Sequence, residues 1–401
     1  MSRPARRWIG LLGGVVLASG CQERLTGPAE CPALCPGGSQ TILETVVTAV
    51  FGADTSFVGY VERGAGSALL TSNGLEGSSA HAVYRFVSRE DSVVAGGVKH
   101  GFVVDSVLLA LNLVARDTLV DGLSVQLYRV PPETDNTTSF ADLEVQLVPA
   151  NLIADLPVAD GLRSGALSVI LRGADLARVA LPPGTGGALA IGVAITAATP
   201  TGIRLGAQFA GLAATFTSFV TVNDLADTDA EKKQTLSRVT AFNTFVTQST
   251  PAPDPSLLLV GGAPSSRALI RFALSPALLD TARIVRATLE LVPNGPIGGL
   301  PSDPALLQSR LVVADLGAKS PLDPLRILQD TLPIGSADTV RFEVTQLVKS
   351  WQASDIPQAV FLQLVPEAAS FTEVVFGSTR SAAGGPRLRI TYLLPFPFES
   401  P

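Results

Sequence analysis

The chain has 401 residues, 16% of them charged and 46% hydrophobic, with a net charge of −6. No basic stripe interrupts this acidic balance, so the electrostatic footprint of a nucleic-acid binder is missing. Three cysteines and two histidines are too few for a disulfide scaffold or a zinc framework over such a length, which predicts two or three domains with real apolar cores.

The N-terminus reads as a targeting segment. Arg3, Arg6 and Arg7 precede an apolar stretch from Trp8 to Leu17, too short to span a bilayer. Leu17-Ala18-Ser19-Gly20-Cys21 resembles the lipobox of bacterial lipoproteins. The resemblance implies a signal peptide over 1–20, diacylglycerol on the Cys21 thiol and acylation of the new amino terminus. That covalent lipid is the only non-protein group expected. Gln22 in place of Asp then favours the outer membrane, on its periplasmic or extracellular face. Residues 21–40 read as a flexible tether. Within it, Cys31 and Cys35 leave a small disulfide loop open, whereas a metal site would need more ligands than the neighbourhood offers.

Short Val-, Leu- and Ala-rich bursts between Gly, Pro, Ser and Asp fill the rest of the chain, as buried strands do. They form one pattern used twice. Val83-Tyr84-Arg85-Phe86 is echoed by Leu269-Ile270-Arg271-Phe272, and Val107–Val114 by Val285–Val292. The first copy carries an excess around Gly96-Gly97-Val98-Lys99-His100-Gly101. Val169–Thr221 pairs without a gap with Val340–Tyr392. These matches predict an all-β fold of two tandem antiparallel β-sandwich, jelly-roll-like units, each with one short helix. The first unit is expected over 41–222, a charged linker over 223–242 and the second unit over 243–395. Asp224, Asp227 and Asp229 in the linker miss the alternate-residue spacing of an EF-hand, so no metal site is expected. In the second unit Leu347, Val348 and Trp351 recur at helical spacing behind Thr345, which can cap. The first unit has Ala180 where the second has Trp351.

Arg267–Phe272, Ala287–Leu291, Phe342–Trp351, and Phe376-Gly377-Ser378-Thr379 followed by Pro386-Arg387-Leu388 carry a second resemblance. In their order and spacing, residues 243–394 resemble the DNRLRE-type domain of bacterial surface proteins, a carbohydrate-binding-module-like jelly roll. The resemblance implies a non-catalytic role, either polysaccharide binding or structural support of a surface assembly. The expected partners are therefore the membrane through its lipid, polysaccharide, and other envelope proteins.

Catalytic signatures are missing. There is no Gly-x-Ser-x-Gly elbow, phosphate loop or zinc-spaced His pair. His81 sits on a strand where its twin is Arg267, which argues for a polar edge rather than a base. His100 lies in the Gly-rich excess. Arg85 and Arg271 recur in matched apolar strands, with a structural role and a ligand contact as the two readings. The residues considered for ligand contact are thus Arg85, Arg271 and His100. Trp351 reads as core rather than as a sugar platform.

Overall fold

The computed structural model describes residues 42–394 except 76–77, 89, 181–187, 249–253, 303, 305 and 383. The expected signal peptide and tether, with Cys21, Cys31 and Cys35, lie outside the described residues. Strand accounts for 49% and helix for 10%, so the fold is all-β, with antiparallel sheets stacked as sandwiches.

The chain opens with β1 (Ile42–Thr48) and β2 (Thr55–Val58). It continues through β3 (Ala68–Asn73), β4 (Ala80–Phe86), the short pair β5 (Val93–Ala95) and β6 (Val98–His100), β7 (Phe102–Arg116) and β8 (Ser124–Val130). After helix α1 (Phe140–Glu144) come β9 (Leu152–Pro157), β10 (Gly165–Arg172), β11 (Ala190–Thr196), β12 (Thr201–Gly206), β13 (Thr215–Val222) and β14 (Lys233–Thr247). The remainder is β15 (Leu257–Gly261), β16 (Ser266–Arg271), β17 (Arg283–Leu291), β18 (Leu306–Val312), β19 (Leu322–Thr331) and β20 (Val340–Glu343). Helix α2 (Thr345–Ala353), β21 (Ala359–Val365), β22 (Glu373–Gly377) and β23 (Arg387–Leu393) close it.

The duplication is visible in strand order. One sheet runs β10-β7-β13-β14 in the first sandwich and β20-β17-β23-β1 in the second. The facing sheet runs β14-β4-β11-β8-β9 in the first and β2-β16-β21-β18-β19 in the second. β14 serves both sheets of its sandwich, bending at a register shift between Thr240 and Phe242.

Both expected boundaries of the first unit need correction. Residues 42–58, expected at its start, belong to the second sandwich: Leu43 pairs with Tyr392, and Thr55 pairs with Leu269. Residues 233–247, expected partly as linker and partly as the second unit, belong to the first: Lys233 pairs with Thr221, and Thr244 with Val83. Only 223–232 acts as a connection, a turn that folds β14 back on β13 with Asn223 bonded to Gly101 and Lys232 to Asp229. Pairing follows the open edges of β13 and β23, and sequence order does not dictate which segment fills each.

The two edge segments are equivalents. Asp54 accepts the Thr379 N–H at 2.6 Å, and Asn243 accepts the Gln208 N–H at 2.6 Å. Their sequences also echo, Val47-Thr48-Ala49-Val50-Phe51 against Val239-Thr240-Ala241-Phe242. The chain therefore closes each sandwich with the segment that precedes the other sandwich in sequence.

Two smaller expectations also change. The constant offset of the rear halves breaks in the last strand, where it would set the buried Phe216 against the exposed Arg387, so the two copies are out of step there by an odd number of residues. The change of step keeps apolar side chains inward, because an odd shift swaps the faces of a strand. Thr345 does not cap α2: the N-cap is Val344, and the Thr345 Oγ1 accepts the Ala287 N–H at 2.7 Å. The Glu343 carboxylate takes the capping place by accepting the Thr345 N–H.

Each sandwich has its own core. Tyr84, Phe86, Phe216 and Phe245 fill the first, and Phe272, Phe342, Trp351 and Phe376 the second. Leu300 and Phe371 of the second sandwich are counted in the core of the first. Phe371 acts as a knob between the sandwiches, its ring lying where a Cβ on Gly202 would sit at 2.6 Å. Gly202 is thus fixed by close approach of the neighbouring sandwich.

Candidate functional site

Beside that knob lies a cleft of about 350 Å³ at the junction of the sandwiches. Its floor is the end of β22, its sides are Leu75 and Ser78 from the first sandwich, and its rim is the loop Asn294-Gly295-Pro296-Ile297-Gly298-Gly299. Backbone pairing fixes that rim. The Asn294 N–H donates to the Val375 carbonyl at 2.7 Å, and Gly298 bridges Glu373 at 3.1 Å. Gly299 is needed at φ +140, where a Cβ would strike the Thr372 hydroxyl at 2.7 Å.

Glu373 is the charge of the cleft. Its carboxyl makes no hydrogen bond or ion pair among the described residues, and burial raises its pKa above the ordinary value. The neighbouring Thr372 hydroxyl is buried without a hydrogen-bond partner. A protein interior rarely leaves such groups uncompensated. The cleft offers one carboxyl, the Asn294 amide, the Ser78 hydroxyl and open glycine backbone. That set suits a ligand rich in hydroxyl groups.

The residues singled out from sequence lie elsewhere and apart. Arg85 donates to the Pro132 carbonyl at 2.9 Å and lies over the Phe242 ring. Arg271 forms a two-pronged pair with Asp315 and also donates to the Ala53 carbonyl. Both arginines thus pin the loop that follows the strand two places along their sheet, β8 or β18. Neither lines the cleft. His100 ends β6, and the Gly-rich excess is a hairpin whose turn glycines have φ +55 and +78. Val93 and Ala95 of that hairpin pack on Val222.

His81 stacks on Phe140 with ring centroids 4.9 Å apart, and burial lowers its pKa to about 4. Trp351 is 4% exposed against Phe272, a core position. Among the described residues no group of three or more His, Cys, Asp or Glu is placed to hold a metal ion. Asp227 and Asp229 face Lys232 and the Glu231 amide.

Sequence reading missed the cleft, because its parts come from strands far apart in the chain. The available signal was Asn294–Gly299, a Gly- and Pro-rich loop where the first copy has none. No family model, curated protein or solved structure matches this chain.

Proposed function

We propose that this protein is a non-catalytic lipoprotein of the outer-membrane surface with a structural or adhesive role, and that it holds a polysaccharide in the junction cleft. The observation that carries the reading is the Glu373 carboxyl, half-buried beside Asn294 and open glycine backbone with no partner among the described residues. Buried, uncompensated groups cost stability, and proteins retain them where a ligand supplies the missing contacts. Sugar hydroxyls can donate to the carboxylate and accept from backbone N–H groups, so no aromatic platform is needed. The DNRLRE-type resemblance of residues 243–394 and the Cys21 motif support the envelope setting.

In this reading the tether enters the fold at Ile42, which pairs with Leu393 of the last strand. The anchor would then hold the second sandwich and leave the first outermost.

Affinity electrophoresis of the mature protein against acidic and neutral polysaccharides tests the ligand. Retention on at least one is expected, with Glu373→Ala weakening it by roughly tenfold or more, the worth of a charged hydrogen bond. No retention on any of them overturns the glycan reading. Glu373→Gln should weaken binding and yet raise Tm. The folded pKa of Glu373 is raised by burial, so its ionisation costs stability once pH rises above the ordinary carboxyl value, and Gln removes that cost. Palmitate labelling of wild type against Cys21→Ala tests the anchor, and equal labelling refutes it.

A further inference from the structure

A sheet edge leaves a row of backbone N–H and carbonyl groups unpaired, and proteins guard such edges with charge, proline or brevity. Three edges of this protein are guarded in that way. β9 carries Asp155 and ends in Pro157. β19 carries Asp323, Pro324, Arg326 and Asp330. β20, which takes the place of β10 in the second sandwich, is only four residues long and includes Arg341 and Glu343. β10 has no such guard. Its sequence, Gly165-Ala166-Leu167-Ser168-Val169-Ile170-Leu171-Arg172, lacks proline and is charged only at its end. It pairs with β7 on one side, and among the described residues no strand pairs with its other side.

The surface beside that edge departs from its twin in the same sense. On the outer face of the second sandwich Arg389 joins Glu44 to Glu290, Arg341 reaches Glu290, and Arg286 holds Glu343. On the matching face of the first sandwich one row across the sheet reads Ile170-Leu108-Thr217-Ser237, without a charge. Ile170 is 51% exposed at the end of that row, where a paired strand would cover it.

β10 is complementary to itself. Laid antiparallel to a second β10 about a two-fold axis at Val169, it sets Ser168 opposite Ile170 and Leu167 opposite Leu171, so both faces of the sheet continue across the join. Arg172 falls opposite Ala166, and no like charges meet. Beyond the strand ends the same register brings Arg163 of each copy level with Asp175 of the other, and both are exposed. Asp175 holds Arg178 at 3.3 Å with half its side chain still in solvent, so it can take a second cation.

We propose that β10 is the docking edge for a second copy of this chain, joined antiparallel so that one sheet runs from β14 of one copy to β14 of the other. A join of this size belongs to the weak, reversible class. It uses none of the residues of the junction cleft and is independent of the glycan reading.

Sedimentation equilibrium of the mature protein bearing Cys21→Ala, which carries no lipid, tests it under reducing conditions. A reversible monomer–dimer equilibrium is expected. Ser168→Lys combined with Ile170→Lys sets like charges opposite each other at two exposed positions and should weaken the dimer by roughly tenfold or more. Arg163→Glu should weaken it severalfold, and adding Asp175→Arg should restore it, which a purely structural role of either residue would not produce. Val169→Cys, in a chain whose own cysteines are replaced by Ala, should give a disulfide-linked dimer on mild oxidation, whereas Ser237→Cys on the same sheet should not. A wild type that stays monomeric at its highest soluble concentration overturns the proposal. So does a dimer that the double lysine variant leaves as tight as before, or one that cross-links through Ser237→Cys and not through Val169→Cys.

Discussion

His81 is a histidine kept neutral by its surroundings. Its folded pKa of about 4 lies below the usual 6.5. The unfolded chain therefore takes up a proton first, so the stability contribution is full above about pH 6.5 and is lost as pH falls toward 4. Urea titrations at pH 7.5 and pH 4.5 should show a larger loss for wild type than for His81→Phe, by up to about 3 kcal/mol. Equal losses would mean that His81 carries no such penalty. Phe371 is the residue on which the junction turns. It is 3% exposed, and its ring occupies the space above Gly202. Phe371→Ala should cost about 3–5 kcal/mol. If its loss separates the sandwiches, calorimetry will resolve one transition into two; a single transition at the wild-type Tm would rule out the knob.

At the scale of elements, the edge segments decide how the chain is closed. β1 and β2 complete the second sandwich, with the buried Asp54 accepting from the Thr379 amide and hydroxyl. Asp54→Ala strands the Thr379 N–H and should cost about 2–4 kcal/mol. A chain beginning at Ala68 should lose amide protection in β16 and β23, while β4 and β13 keep theirs. Hydrogen exchange reads this directly, and the reverse pattern would contradict the pairing. Much at this scale was legible beforehand. Arg85 and Arg271 repeat because the same strand must hold the same loop in each copy, on Pro132 in one and on Asp315 in the other. The change of step between Phe216 and Arg387 was not legible, because a length change in the loop before the strand leaves its alternation intact. The Gly-rich excess could be placed, although its form as the β5 and β6 hairpin followed from contacts with Val222 and Glu231.

At the scale of the whole molecule, the two sandwiches are tied by more than a linker. The chain crosses between them after β2 and again after β14, so the first sandwich is one continuous stretch inserted between the two parts of the second. Tyr60, on the first crossing, lies 3.5 Å from the Arg267 guanidinium, which also grips Glu367 at 2.5 Å. These contacts and the Phe371 knob hold the walls of the junction cleft in place. By itself the sequence determined the all-β class, the duplication, the strands and the core status of Trp351, because alternation and repetition are local properties of the chain. Only the tertiary structure decided which edge segment closes which sandwich, since β1–β2 and β14 carry similar patterns and either open edge accepts such a strand. Only the tertiary structure, too, could bring Ser78 to Glu373, because a cleft is made by residues far apart in sequence whose side chains leave space between them.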